Sequence, residues 1–170
     1  MSESRSSSVN TRKLTLAAVF AALAYVSVVI FRLPIIPSAP FLNYDVKDVI
    51  TALGALILGP TYGALIAVVV AFLEWITISS TGVIGFIMNV LSSASFVCTA
   101  AIIYSRQKTL ANAVIGLVSG VVMMVIVMLL WNYIITPLYQ GIPREAIANM
   151  LLPVFLPFNA LTVSYTHLRA

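Results

Sequence analysis

Residues 113–135 read AVIGLVSGVVMMVIVMLLWNYII, an apolar run with no charged residue. As a helix, this run is long enough to cross the roughly 30 Å hydrocarbon core of a bilayer. Working outward, similar runs cover residues 14–31, 62–78 and 83–104. The whole chain of 170 residues is 61% hydrophobic and 8% charged, with a mean hydropathy of +1.08. A soluble domain is nearer half apolar and about a quarter charged. A chain this short has too little interior to hide so much apolar surface, so a soluble protein with a large core is excluded. The fold class expected is an all-α integral membrane protein.

The ends and breaks of the runs fill in the organisation. Residues 1–12, within MSESRSSSVNTRK, are polar and Ser-rich and read as a disordered cytoplasmic tail. The apolar run that follows is too long for a signal peptide, and no clean small-residue cleavage site follows it. In RLPIIPSAP, Pro34, Pro37 and Pro40 end the first helix and favour an extended connection. FLNYDVKDVI, from Phe41, then sets Asp45, Lys47 and Asp48 between two greasy segments. Asp48 is expected to cap the short helix VITALGALIL, which Gly59 and Pro60 interrupt. The run at 62–78 contains Glu74, and the run at 83–104 ends at SRQK. The fifth run ends in WNYIITPLY, whose Trp131, Tyr133 and Tyr139 suit a headgroup belt. The last run, LLPVFLPFNALTV, stops too soon for a complete span.

With the N-terminus inside, Arg5, Arg12, Lys13, Arg106 and Lys108 are cytoplasmic, while Arg32, Lys47 and Arg144 are outside. That distribution obeys the positive-inside rule weakly. Asp45, Asp48 and Glu145 also fall outside, with Glu74 near the outer end of its helix, so the unusual chemistry collects on that side. The basic residues mostly flank apolar runs, which fits topology and not nucleic-acid binding.

The sequence holds no HExxH, GxSxG or GxxxxGK[ST] motif and no arranged acid–base pair. An enzyme is not expected, and any ATP hydrolysis must belong to partners. The single cysteine, Cys98, reads as a small buried hydrophobe; neither a metal site nor an internal disulfide is suggested. What remains is a set of polar residues at membrane depth: Glu74, Asn89, Asn132 and Asn159. Such groups are costly in a bilayer and usually serve a pathway or a ligand. Each Asn could instead make a helix–helix hydrogen bond, and Glu74 could be an interfacial carboxylate in water. Phe41, Tyr44, Trp75, Trp131 and Phe158 could wall a planar ligand or form an interfacial belt. Pro153 and Pro157 break the last run just before Asn159, as in helices that line a cavity. Ala17/Ala21 and Ala18/Ala22 offer small-residue spacings for close helix packing.

FLNYDVKDV, WNYIITPLYQG and LLPVFLPFN, in that order, resemble the riboflavin-specific substrate-binding (S) subunits of energy-coupling-factor (ECF) vitamin transporters. The likeness runs from about Thr11 to Asn159. It implies an S-component bundle of six transmembrane helices over residues 13–162, multi-pass in the cell membrane, with both termini cytoplasmic. It also implies a riboflavin site in the outer half, beneath the loop between the first two helices. In that reading Leu42, Asn43 and Tyr44 lie near the flavin, while Asp45 and Asp48 brace the loop. Glu74, Asn89, Trp131, Asn132, Phe158 and Asn159 complete the expected ligand set, with Asn159 at the polar edge of the ring. Riboflavin or FMN is then the transported ligand, with no cofactor. Ala17, Ala18, Ala21 and Ala22 match the face that docks on a transmembrane coupling subunit, which joins two ATPase subunits. The family pattern PFNxxK has Thr162 in place of its lysine. Residues 163–170 are therefore expected to be a non-native tail and the last helix to be truncated. The competing functions are an S component for another vitamin and a membrane assembly protein without a ligand.

Overall fold

The computed structural model describes residues 11–31, 33, 34, 43, 44, 46–79, 82–141 and 145. Five α-helices lie among them: α1 (Thr11–Phe31), α2 (Lys47–Leu58), α3 (Pro60–Thr77), α4 (Gly82–Arg106) and α5 (Leu110–Gln140). Between α1 and α2 the chain folds back through two short strands, β1 (Leu33–Pro34) and β2 (Asn43–Tyr44). They pair antiparallel, with Leu33 opposite Tyr44 and Pro34 opposite Asn43. The helices α1, α3, α4 and α5 are long and apolar enough to cross a membrane. The 12-residue α2 is not, but it packs against α1, α3 and α4. A sixth helix, the Pro153/Pro157 break and the tail at 163–170 fall outside the described residues.

The bundle is built with small residues inside and large ones outside. Ala17, Ala21, Ala24, Ala52, Ala55, Ala67, Ala71, Ala100 and Ala101 are buried, while Val26, Ile30, Ile57, Ile76, Val118 and Leu130 are exposed. Lipid is as apolar as leucine, so burying large side chains gains little there; close approach of backbones gains more. The α4–α5 contact shows this most clearly. Gly116 meets the Ala100 backbone and Gly120 meets Phe96, and these small residues are spaced four apart on α5. Phe96, Val97, Met124 and Met128 complete one core cluster, together with Ala52 and Ala55 of α2. A second cluster joins Ala17, Ala21 and Ala24 of α1 to Leu58, Ile66 and Val70.

The contacts fix the direction of each helix. Tyr25 donates to Thr77 Oγ1 (3.0 Å) at one end of α1 and α3, and Lys13 sits over the Tyr62 ring (6.0 Å) at the other. These two helices are therefore parallel. α4 runs antiparallel to both α3 and α5, as the Asn89–Glu74 and Gly116–Ala100 contacts require. The end of α1, the strand pair, the start of α2, the end of α3 and the start of α4 thus gather at one end of the bundle, here called the loop end.

Helix boundaries follow local chemistry, with three departures from the sequence expectation. First, Asp48 does not cap α2. The N-cap is Val46, which makes no side-chain cap bond, and Asp48 lies inside the first turn. Second, α1 begins at Thr11, inside the stretch assigned to the tail. Third, α5 continues beyond Ile135 through Pro137 to Gln140. Pro137 leaves the Tyr133 carbonyl without its helical N–H donor, but it lies in the last turn of the 31-residue helix, so the break is confined to that end. Gly141, at φ 66°, closes α5 in the left-handed conformation that glycine adopts without strain. At its start, Thr109 accepts from the Asn112 N–H at 3.2 Å. Thr109→Ala should lower stability by about 0.5–2 kcal/mol, read as a shift in the thermal unfolding midpoint in detergent.

Candidate functional site

The loop end holds a buried polar cluster inside an otherwise apolar bundle. Lys47, in the first turn of α2, donates from Nζ to Glu74 Oε1 of α3 at 2.6 Å, with both side chains 5% exposed. The same Nζ donates to Asn89 Oδ1 of α4 at 3.0 Å. Asn89 Nδ2 donates back to Glu74 Oε2 at 2.8 Å. The three side chains form a closed triangle joining three helices. One residue along, Asp48 accepts from Ser93 Oγ of α4 at 2.6 Å. Thr51 Oγ1 returns to the Lys47 carbonyl at 2.9 Å.

Asp48 suits a helix start, because a carboxylate there faces the positive end of the helix dipole. Lys47 does not, since a cation in the first turn opposes that dipole. Its position is set by Glu74: an isolated carboxylate or ammonium in this interior would be far costlier than the pair. Lys47 is therefore not an outer loop charge, as the sequence reading had it, and it drops out of the loop charges used for orientation. Glu74 is not an interfacial carboxylate in water either; it is 4% exposed and held by Lys47 and Asn89.

Other predicted residues fall as follows. Asn89 makes the helix-to-helix bonds just described. Asn132 is buried at 2% exposure, and its amide donates to the Met128 carbonyl of the same helix at 2.8 Å. The α4–α5 register carries Trp131 and Asn132 to the loop end. The Trp131 indole N–H is buried with no hydrogen-bond partner among the described residues. Trp75 packs with Phe72 and Phe86, ring centroids 5.8 and 5.5 Å away, so it belongs to an aromatic cluster between α3 and α4. The backbones of Asn43 and Tyr44 form β2, three to four residues before Lys47. Phe41, Leu42, Asp45, Phe158 and Asn159 lie outside the described residues.

The two alanine pairs of α1 part company. Ala17 and Ala21 are buried against the chain's own helices, whereas Ala18 and Ala22 face outward. Leu14, Ala17, Ala18, Ala21, Leu65 and Val69 line an open apolar groove between α1 and α3. Half-buried Cys98 brings its thiol 3.8 Å from the Pro60 carbonyl, a packing contact at the opposite end. Sequence reasoning missed Lys47 as a site residue, and also Ser93. The available signal was Glu74 itself, a carboxylate in an apolar run that needed a cation at the same depth.

Comparison with known proteins agrees with this architecture. The family model for the ECF transporter substrate-specific component matches residues 12–166. The riboflavin transporter RibU of Staphylococcus aureus is 31% identical over 158 residues, covering 89% of this chain and 82% of its own. RibU of Streptococcus thermophilus is 28% identical over 162 residues, covering 89% and 76%. The riboflavin transporter FmnP of Bacillus subtilis is 25% identical over 160 residues, covering 88% and 83%. A solved S component of a bacterial ECF transporter superposes with a TM-score of 0.77 at 25% identity, covering 94% of each chain. With its four membrane-capable helices, the chain is a multi-pass membrane protein, a transporter component and not an enzyme. It belongs to the family of substrate-specific components of ECF transporters.

Proposed function

We propose that this chain captures riboflavin at the loop end of the bundle and delivers it to the cell interior through an ECF module. The observation that carries the reading is the agreement of three relatives, each matched over most of its length, on riboflavin transport. The loop end supplies suitable chemistry. It combines buried polar groups, the Trp75 aromatic cluster and an indole N–H with a donor to spare. A flavin is flat, largely apolar across its ring faces and polar along one edge, which matches aromatic walls with a few convergent polar groups.

In this reading Leu42, Asn43, Tyr44, Trp131, Asn132, Phe158 and Asn159 contact the ligand, while Glu74 and Asn89 shape the floor. The N-terminus is cytoplasmic, the loop end faces outside, and a sixth helix carries Asn159. Ala18 and Ala22, on the outward side of α1, meet a transmembrane coupling subunit that joins two ATPases. The ligand favours the closed form of the loop between α1 and α2, so that occupancy shifts the population towards it.

Purification from flavin-supplied cells, followed by extraction, tests the ligand. Riboflavin should co-purify and resist displacement by an excess of unrelated vitamins. FMN competition shows whether the phosphate is tolerated. Recovery of a different vitamin would reassign the substrate, and recovery of none would favour an assembly role. Asn159→Leu should weaken riboflavin binding by about 1–3 kcal/mol, roughly 5- to 150-fold in Kd, as expected for an unpaired polar edge. Unchanged affinity in a folded variant would remove Asn159 from the site.

A further inference from the structure

We infer that Lys47 is a positioning residue: through Glu74 and Asn89 it clamps the segment following β2 to the ends of α3 and α4. That clamp holds Asn43 and Tyr44 at the mouth of the bundle. As a statement about ligand retention this rests on the function proposed above; as a statement about anchoring it does not.

Three observations carry it. The first is position. Only Asp45 and Val46 separate β2 from Lys47, so fixing Lys47 fixes the far end of the strand pair to within two residues. The near end is already tied, because β1 follows α1 closely and pairs with β2. The second is connectivity. The Lys47 ammonium reaches both α3 and α4, and neighbouring Asp48 reaches α4 again through Ser93. Three polar contacts thus hold one helical turn, and the carbonyl of Val46 closes that turn by accepting from Val49 at 3.2 Å.

The third is energetic. A buried ion pair is a weak source of stability, since well-packed apolar residues in its place are often as good or better. What the pair supplies is specificity, because a charge has one acceptable partner where a leucine has many. Here α2 is too short to cross the membrane, and beyond its first turn its buried face holds only Thr51, Ala52, Gly54, Ala55 and Leu58, mostly small side chains that offer few large knobs to fix its register. The triangle sets its height and rotation, and so the height of β2.

The test uses the full chain in lipid nanodiscs, with a spin label at Asn43→Cys in a Cys98→Ala background. Lys47→Met/Glu74→Gln removes both charges while leaving an amide for Asn89. The label should become markedly more mobile at an unchanged unfolding midpoint, and, measured without the label and with Asn43 in place, riboflavin should dissociate about tenfold faster from the double variant than from the original chain. A folded double variant with unchanged label mobility and dissociation rate would overturn the inference. Hydrogen exchange on the unsubstituted chain gives a second arm that needs no variant. The amides of residues 51–54, which donate to the carbonyls of the clamped first turn, should be protected like those of α3. Exchange at the rate of an open loop would overturn the inference even if the double variant failed to fold. If the label loosens as expected but no riboflavin binds to the original chain, the clamp stands and the riboflavin reading falls.

Discussion

Glu74→Leu should destabilise the chain by about 3–5 kcal/mol, enough to deplete folded protein from detergent extracts. The substitution leaves the Lys47 ammonium buried in an apolar bundle with the Asn89 carbonyl but without its carboxylate. The group must then remain charged at high cost, lose its proton, or pull the first turn of α2 outward. Lys47→Met/Glu74→Leu removes both charges together and should recover most of the loss. The contrast between single and double variants is the informative quantity. It is read from unfolding midpoints in one detergent. Equal destabilisation in both would mean that the triangle is a packing feature and not an electrostatic one.

Gly116→Val/Gly120→Val should separate α4 from α5. A Cβ at Gly116 would lie 2.7 Å from the Ala100 carbonyl oxygen, and one at Gly120 would lie 2.6 Å from that of Phe96. Both obstacles are backbone, which cannot step aside as a flexible side chain can. Overpacking of this kind costs about 1–3 kcal/mol per site. The two sites lie on the same helix face, so one displacement relieves both and the costs add incompletely. Because α5 also presents Trp131 and Asn132, ligand affinity should fall along with stability. Disulfide trapping between cysteines placed on α4 and α5 would report the separation directly.

Much of the bundle was legible because lipid imposes simple rules. A run such as residues 113–135 must be a helix, since no other unpaired backbone survives in hydrocarbon. The breaks at Pro34, at Gly59–Pro60 and after Tyr104 fell where donors are lost or polar residues return. The end of α5 was less legible, because the apolar run stops near Ile135 while the helix carries on through Pro137 to Gln140. Gly116 and Gly120 carried a readable four-residue spacing, but their partners, Ala100 and Phe96, are set by the α4–α5 register, which the sequence does not state.

The site was less legible for a physical reason. Glu74, Asn89 and Asn132 stood out as polar residues in apolar runs. Lys47 did not, because Asp45 and Asp48 beside it made the stretch look like a solvated loop. Its partner lies 27 residues away, beyond any helical periodicity. Only the fold shows that the two meet. Likewise the alanine spacing of α1 was visible, but which pair faces inward depends on α3 lying beside it.

The account turns on flavin binding, and an equilibrium titration of the purified chain against riboflavin fluorescence tests it most directly. Emission should be quenched as the ring stacks against aromatic side chains, saturating at one flavin per chain and reversing on competition with unlabelled analogue. A linear, unsaturable response from folded protein would contradict it.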